Sequence, residues 1–258
     1  MNLKIYYFSG TGNSLAVSRK LEELLIEKGE IVHISNFENE NSVEVDVDVV
    51  GFVFPVYFAT IPDVVKAFIE KLYFKTNPYI FAIVTCNGVP SHSLFTLNKC
   101  LNAKGKSLSS GFVVDMPGNA LTTPDEIIKE RLKNSKNKVE QIAEYVNNRR
   151  TKELEGENNI KRHIESFVVS TVAKKLQFSP KKYSSTSECI GCGICEKVCP
   201  VQNIKMVDKK PQWENNCTAC LACFHWCPKK AVKINKLISK RDKYHHPEVS
   251  ISDMCLRK

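Results

Sequence analysis

Eight of the eleven cysteines stand in one spacing written twice: Cys189, Cys192, Cys195 and Cys199 before Pro200, then Cys217, Cys220, Cys223 and Cys227 before Pro228. Each run reads C-x-x-C-x-x-C-x-x-x-C-P, the bacterial spacing for paired [4Fe-4S] clusters, in which three thiolates hold one cubane and the fourth reaches its neighbour. Cys189, Cys192, Cys195 and Cys227 are expected to hold cluster I, and Cys217, Cys220, Cys223 and Cys199 cluster II. The intervening residues, among them Gly191, Gly193, Ala219 and Ala222, let backbone N–H groups approach the sulfides, and glycine admits positive φ where such a loop is tightest. Structural zinc and disulfides are the alternatives. Zinc sites usually set C-x-x-C pairs a dozen or more residues apart and often recruit His, unlike three cysteines at successive intervals of three. Disulfides need an oxidising compartment, and Met1-Asn2-Leu3-Lys4 begins no secretory signal pattern.

A second chemical signal lies near the amino terminus. Residues 3–8 form an apolar run rich in Ile, Tyr and Phe; Ser9-Gly10-Thr11-Gly12-Asn13-Ser14 follows, then Leu15, Val17, Leu21, Leu24 and Leu25 at helical spacing. A strand, a loop of glycine and hydroxyl residues, and a helix start make an anion site, because orphan N–H groups and the helix dipole favour phosphate. Leu15 stands where a dinucleotide fingerprint wants its last Gly, and Asn13 stands where a Walker loop wants Lys. Neutral hydroxyl donors suit a phosphate monoester. A capped strand-to-helix turn without ligand is the bland alternative, although a cap uses one side-chain acceptor and this loop offers several.

The elements that must position these residues follow in order. Strands are expected over residues 3–8, 30–35, 47–54, 79–85 and 112–115, with helices after the phosphate loop and over 63–72, 93–102 and 124–148. Five strands alternating with helices predict an α/β fold, a doubly wound five-stranded parallel sheet. Ligands in that architecture sit beyond the carboxyl ends of the strands. Pro55, Val56, Tyr57 and Phe58 after the third strand, and Thr85, Cys86, Asn87 and Gly88 after the fourth, therefore join the phosphate loop as candidate ligand residues, with Tyr57 or Phe58 available to stack on a ring. Core packing is the competing role for Tyr57. Cys86 lacks a neighbouring His or Lys activator and reads as a small filler, as do Cys100 and Cys255. His92 is expected at the surface or as a cap.

Residues 147–159 are polar and read as a linker or exposed turn. Ile160, Ile164, Phe167, Val168, Val172 and Leu176 recur at helical spacing. The expected organisation is residues 1–150 as the sheet domain, 151–182 as linker and amphipathic helix, 183–236 as a small α+β cluster domain with matching short strands at 204–207 and 231–234, and 237–258 as a tail. The adjacent His245 and His246 read as surface packing, because neighbouring residues point apart.

Composition narrows the function classes. Apolar residues make up 43% and charged residues 25%, as in ordinary globular chains. No apolar run approaches the ~20 residues that span a bilayer. Eleven cysteines without a leader argue for a reducing cytoplasm. Residues 1–150 hold 17 Lys+Arg and 17 Asp+Glu, whereas 151–258 hold 20 and 11, so the whole net charge of +9 lies in the cluster-bearing part. Two clusters at about −2 each reduce that to about +5. The remainder suits steering of an acidic redox partner better than gripping nucleic acid.

Residues 7–14 closely resemble the flavodoxin phosphate loop, S/T-x-T-G-x-S/T, whose ligand is FMN. With the cysteine runs, the chain resembles fusions of a flavodoxin-like domain with a bacterial-type 2[4Fe-4S] ferredoxin, a family found in anaerobic bacteria and archaea. The resemblance implies FMN, two [4Fe-4S] clusters and intracellular electron transfer with a redox protein partner. Two other classes stay open: a flavin-dependent reductase of a small molecule fed through the clusters, and an iron-sulfur redox-sensing module. The loop after the fourth strand lacks the aromatic and acidic residues that surround the ring in flavodoxins, so a higher flavin potential is expected.

Overall fold

A computed structural model describes residues 2–120, 123–156, 182–236 and 238–255. The expected helix through 160–176 lies outside the described residues. The first part of the chain runs β1 (Leu3–Tyr7), α1 (Asn13–Leu24), β2 (Gly29–His33), β3 (Val43–Val45), β4 (Val49–Pro55), α2 (Asp63–Lys71), β5 (Leu72–Phe74), β6 (Tyr79–Cys86), α3 (Ser93–Asn102), β7 (Ser110–Asp115) and α4 (Asp125–Asn147).

One parallel sheet has the order β2-β1-β4-β6-β7, the flavodoxin-like doubly wound order with its switch point between β1 and β4. Nearly every residue of β4 and β6 is buried, as expected of strands covered on both faces. Helices α1 and α4 pack together, as do α2 and α3. Gly51 makes room across the β4–β6 pair, since a Cβ there would stand 2.4 Å from the Phe81 ring. Phe81 is wholly buried, and its truncation to Ala would cost about 3–5 kcal/mol. Helix α2 starts after Pro62 with Asp63 and ends with Lys71, charges that suit the two ends of its dipole.

Four local features differ from the sequence reading. The second strand stops at His33 rather than Ser35, because His33 Nδ1 accepts the Ser35 N–H and starts a 3-10 turn over Ile34–Phe37. The short strands β3 and β5, absent from the sequence reading, pair in parallel beside the main sheet. His92 is 3% exposed and precedes α3 without capping it through its side chain. Residues 151–156, read as linker, lie along β7: Lys152 N–H donates to Ser109 O, Glu155 N–H to Gly111 O, and the Glu155 carboxylate accepts the Val113 N–H. Such cover satisfies groups that an edge strand would leave open.

The second part contains β8 (Ser184–Ser185), α5 (Ile194–Lys197), β9 (Ile204–Val207), β10 (Lys210–Trp213), α6 (Ala222–His225), β11 (Val232–Lys233) and α7 (Ile251–Met254). The strands expected after each cysteine run form, β9 pairing with β10 and β11 with β8, both antiparallel. Ile204, Phe224, Val232 and Ile234 build a small core with Cys195, Cys199 and Cys223. Val198, Cys220, Ala222 and Trp226 instead belong to the main core of the sheet domain. An apolar seam of this kind makes the two parts one packed body rather than beads on a tether.

Candidate functional site

The carboxyl ends of β1, β4, β6 and β7 surround a cavity of about 270 Å³. It is lined by residues 9–11, Asn13 and Ser14, by 55–57 and Ala59, by 85–87, Val89 and Ser91, and by 116–120. The three expected loops thus converge. Gly12, Phe58 and Gly88 stand outside the lining: Gly12 turns the chain at φ 92 to start α1, Phe58 packs onto the cluster-domain core, and Gly88 sits beside Arg131.

The candidate phosphate loop joins the end of β1 to the first turn of α1. Ser9, Thr11, Asn13 and Ser14 are buried. Ser9 Oγ accepts the Gly12 N–H at 3.0 Å, and the Ser14 and Thr85 hydroxyls share a bond of 2.9 Å that ties the start of α1 to β6. Asn13 serves the protein: its amide N–H donates to Pro117 O at 2.9 Å, and its carbonyl accepts the Tyr244 hydroxyl at 2.7 Å. No side chain caps α1, so its first-turn N–H groups are left for an anion beside neutral hydroxyl donors. This donor set fits the phosphate of FMN.

At the other end of the cavity, residues 57–60 form a tight hairpin in which Tyr57 and Thr60 exchange backbone bonds of 3.0 Å and Phe58 and Ala59 take φ 50 and 62. Two non-glycine residues in the left-handed region are strained by about 1–2 kcal/mol each. They are held by packing, with Phe58 wedged between the two cores. Tyr57 is 8% exposed and sets its ring edge-on to Phe8. Its hydroxyl lacks a hydrogen bond of normal geometry. Burial, then Cys220, pushes its pKa well up, partly offset by the Asn119 amide. Cys86 donates to Asp115 and is pushed up to about 12 by burial and then by that carboxylate. A thiol so protonated is inert, in line with the filler role.

Sequence reasoning missed residues 116–120, which follow the last strand of the sheet on the ligand edge. The position of that strand's end was the available signal. Arg131 of α4 donates to Asn87 Oδ1 and Met116 O, fixing two of the loops. The tail was also missed. His246 N–H donates to Thr11 O at 2.8 Å, Val249 covers Gly12, and Asp253 pairs with Arg19 at 2.6 Å. His246 is buried, whereas surface packing was expected, and His245 stacks on Trp226 at 4.3 Å.

The structure brings Cys189, Cys192, Cys195 and Cys227 around one cavity and sets Cys199, Cys217 and Cys223 near Cys220. Burial chiefly pushes the Cys195 thiol up to about 12, with Cys192, Cys227 and Cys189 near enough to add to it. Cys220 is raised well above its ordinary value by burial and then by Cys199, Cys217 and Cys223. Cys189, Cys192, Cys195 and Cys227 line one small cavity. Backbone N–H groups already point at sulfur, from Asn203 to Cys199, Ala219 to Cys217 and Ala231 to Cys227. Among the described residues no three His, Cys, Asp or Glu side chains surround one point as a single ion requires. A cubane spreads its thiolates over four corners, and this chemistry fits thiol sets that carry backbone donors. All eleven cysteines are free.

The two runs wrap with the same backbone. Gly191 and Gly193 take φ 69 and 71, and their counterparts Ala219 and Leu221 take 56 and 62. The second loop also touches the phosphate loop. A Cβ on Gly10 would lie 2.5 Å from Cys220 O and 2.7 Å from Tyr57 Oη. Asn119 Nδ2 donates to Cys220 O, His225 Nε2 bonds Asn119 O at 2.9 Å, and Trp226 Nε1 donates to Gly10 O at 3.0 Å.

Comparison with known proteins matches residues 4–108 to the flavodoxin domain and residues 188–232 to the 4Fe-4S dicluster domain. A flavodoxin domain implies FMN, and a dicluster domain implies two [4Fe-4S] clusters. The chain is similar to a subunit of the ion-translocating oxidoreductase complex of Methanosarcina acetivorans, 43% identical over 47 residues, 18% of either chain. It is similar to the ferredoxin-like protein in the nif region of Trichormus variabilis, 38% identical over 48 residues, 18% of this chain and 41% of that one. The chain thus spans under half the length of these relatives. Similar solved structures include an FMN-dependent NADH-azoreductase from Bacillus anthracis in complex with FMN, 14% identical over 57% of this chain and 100% of that one, TM-score 0.42. Another is oxidised flavodoxin 1 from Bacillus cereus, 16% identical over 52% and 95%, TM-score 0.38. Among the described residues no helix is long and apolar enough to cross a membrane.

Proposed function

Because the chain joins a flavodoxin domain to a 4Fe-4S dicluster domain and so has an electron-transfer role, we propose that it is an intramolecular relay whose order is cluster I, cluster II, flavin. Cys189, Cys192, Cys195 and Cys227 would hold cluster I; Cys217, Cys220, Cys223 and Cys199 would hold cluster II. Ser9, Gly10, Thr11 and Ser14 would bind the FMN phosphate. Bound, the cubanes pass single electrons and the flavin takes one or two.

One observation carries this order: the backbone of Cys220, a cluster II ligand, rests on Gly10 of the phosphate loop beside Tyr57. The loop of Cys192 is exposed instead. Trp226, Asn119 and His225 fix the close approach, and Tyr57 and Phe58 exclude water from the seam. The outside donor is a low-potential one-electron protein, which loses the electron that cluster I gains. Similarity to an oxidoreductase-complex subunit supports a partner of redox kind. Eight cysteines assigned to iron-sulfur clusters rather than to disulfides support a reducing compartment such as the cytoplasm.

The test is anaerobic reconstitution and stopped-flow reduction by a reduced ferredoxin, following flavin absorbance. Cys192→Ser should slow flavin reduction about tenfold or more while FMN affinity stays unchanged. Equal rates in the variant and the unaltered protein would mean that the flavin is reduced directly, and the order would fall.

A further inference from the structure

The two cysteine runs are alike in spacing and unlike in surroundings. Cys220 is buried in the seam, whereas Cys192 is exposed and Ile190 beside it is 62% exposed. Its apolar side chain stands free between the ligand positions Cys189 and Cys192.

Lysines surround it. The turn carrying Lys209 packs on Gly191, whose Cβ would meet Lys209 at 2.9 Å. Lys210 Nζ reaches Cys189 O at 3.2 Å, and Lys229 lines the same cavity as Cys189 and Cys192, with Lys230 exposed beside it. Glu188 and Asp208 are the exposed carboxylates on the same loops, so the four lysines make the exposed rim positive over the charge of about −2 that an oxidised cluster I would bring beneath it. Val207, 42% exposed, adds apolar surface on the hairpin that bears Lys209. Among the described residues Lys209, Lys229 and Lys230 have no ion pair, whereas Lys205 nearby is paired with Glu214. Unpaired lysines around an apolar centre are the pattern by which a charged rim steers a partner and an uncharged centre holds it.

We propose that the face around Ile190, rimmed by Lys209, Lys210, Lys229 and Lys230, docks a small acidic electron-carrier protein over cluster I. The inference rests on the relay reading, since it places the entry point at the end of the chain of centres away from the flavin. An acidic carrier is favoured over nucleic acid because the rim encloses an exposed Ile and cluster ligands, where an approaching redox centre comes closest.

The experiment uses the reconstituted full chain and a recombinant 2[4Fe-4S] ferredoxin of strongly negative net charge. Dissociation constants are measured by calorimetry at about 20 and 200 mM salt, where screening differs most usefully. Unaltered protein should bind at low salt and weaken at high salt. The triple variant Lys209→Glu, Lys229→Glu, Lys230→Glu should weaken binding about tenfold or more, and Ile190→Asp should also weaken it, with iron content and visible spectrum unchanged. The pair Lys129→Glu, Lys133→Glu on the exposed side of α4 should change it less than about twofold. Equal weakening by the α4 pair, no binding at low salt, or equally tight binding of a DNA duplex would overturn the proposal. The expected binding pattern without flavin reduction would sink the relay and leave the surface standing. Flavin reduction through the clusters with charge-independent binding would sink the surface and leave the relay.

Discussion

The indole N–H of Trp226 donates to the carbonyl oxygen of Gly10 at 3.0 Å across 216 residues of sequence. It joins the last turn of the second cysteine run to the middle of the phosphate loop. Trp226→Phe would leave that buried carbonyl unsatisfied, at about 1–3 kcal/mol. Lower resistance to urea together with weaker FMN binding is expected, and unfolding curves with flavin fluorescence titrations measure both. Gly10→Ala should act in the same direction by overpacking against Cys220 and Tyr57, by about 1–3 kcal/mol.

The two cluster loops should answer opposite substitutions. Ala219 holds a left-handed conformation that glycine adopts freely, so Ala219→Gly should stabilise the protein by up to about 1 kcal/mol. Gly191→Ala would bring strain and a contact of 2.9 Å with Lys209, and should destabilise by more than that. Thermal unfolding of both variants, with iron content as control, gives the comparison.

Stability should fall in mild acid. His33 and His246 are held down to about 4 chiefly by burial, and in each Nδ1 accepts a backbone N–H, from Ser35 and Glu248 respectively. Their folded pKa values lie below the unfolded value near 6.5, so the unfolded chain binds the proton first. Their contribution is intact above about pH 6.5 and is lost as pH falls towards 4, at up to about 1.4 kcal/mol per pH unit for each fully titrating histidine. Urea midpoints across that window should slope. In the double variant His33→Asn, His246→Asn, whose amide oxygens accept without titrating, the slope should flatten.

Among the described residues no carboxylate lines the cavity, and Asp115 beside it is bonded to the Cys86 thiol. Negative charge near the ring disfavours adding electrons to it, so the second flavin couple should lie above that of free flavodoxins. An anaerobic redox titration giving a very low second couple would contradict this.

What could be read from the chain was what the chain writes locally. The cysteine runs and residues 9–14 carry their chemistry within a few positions, and the alternating apolar stretches gave the sheet. Trp226, Asn119 and Tyr244 could not be read, because each acts on a loop a hundred or more residues away. Glu155 shows the converse. Its polarity suggested exposure, yet it is spent on the open edge of β7 and on Lys138 and Lys152. The burial of His246 has the same origin, since the covering surface belongs to another domain.

The tail reaches back over the phosphate loop, with Tyr244 on Asn13, His246 on Thr11 and Asp253 on Arg19. On the ribosome Asn13 emerges 231 residues before its partner Tyr244, an interval of roughly 12–46 s at ordinary elongation rates. The nucleotide cradle is therefore begun well before the residues that finish it are made, so a chain stopped short of Tyr244 would carry an incomplete flavin seat even with its sheet fully folded.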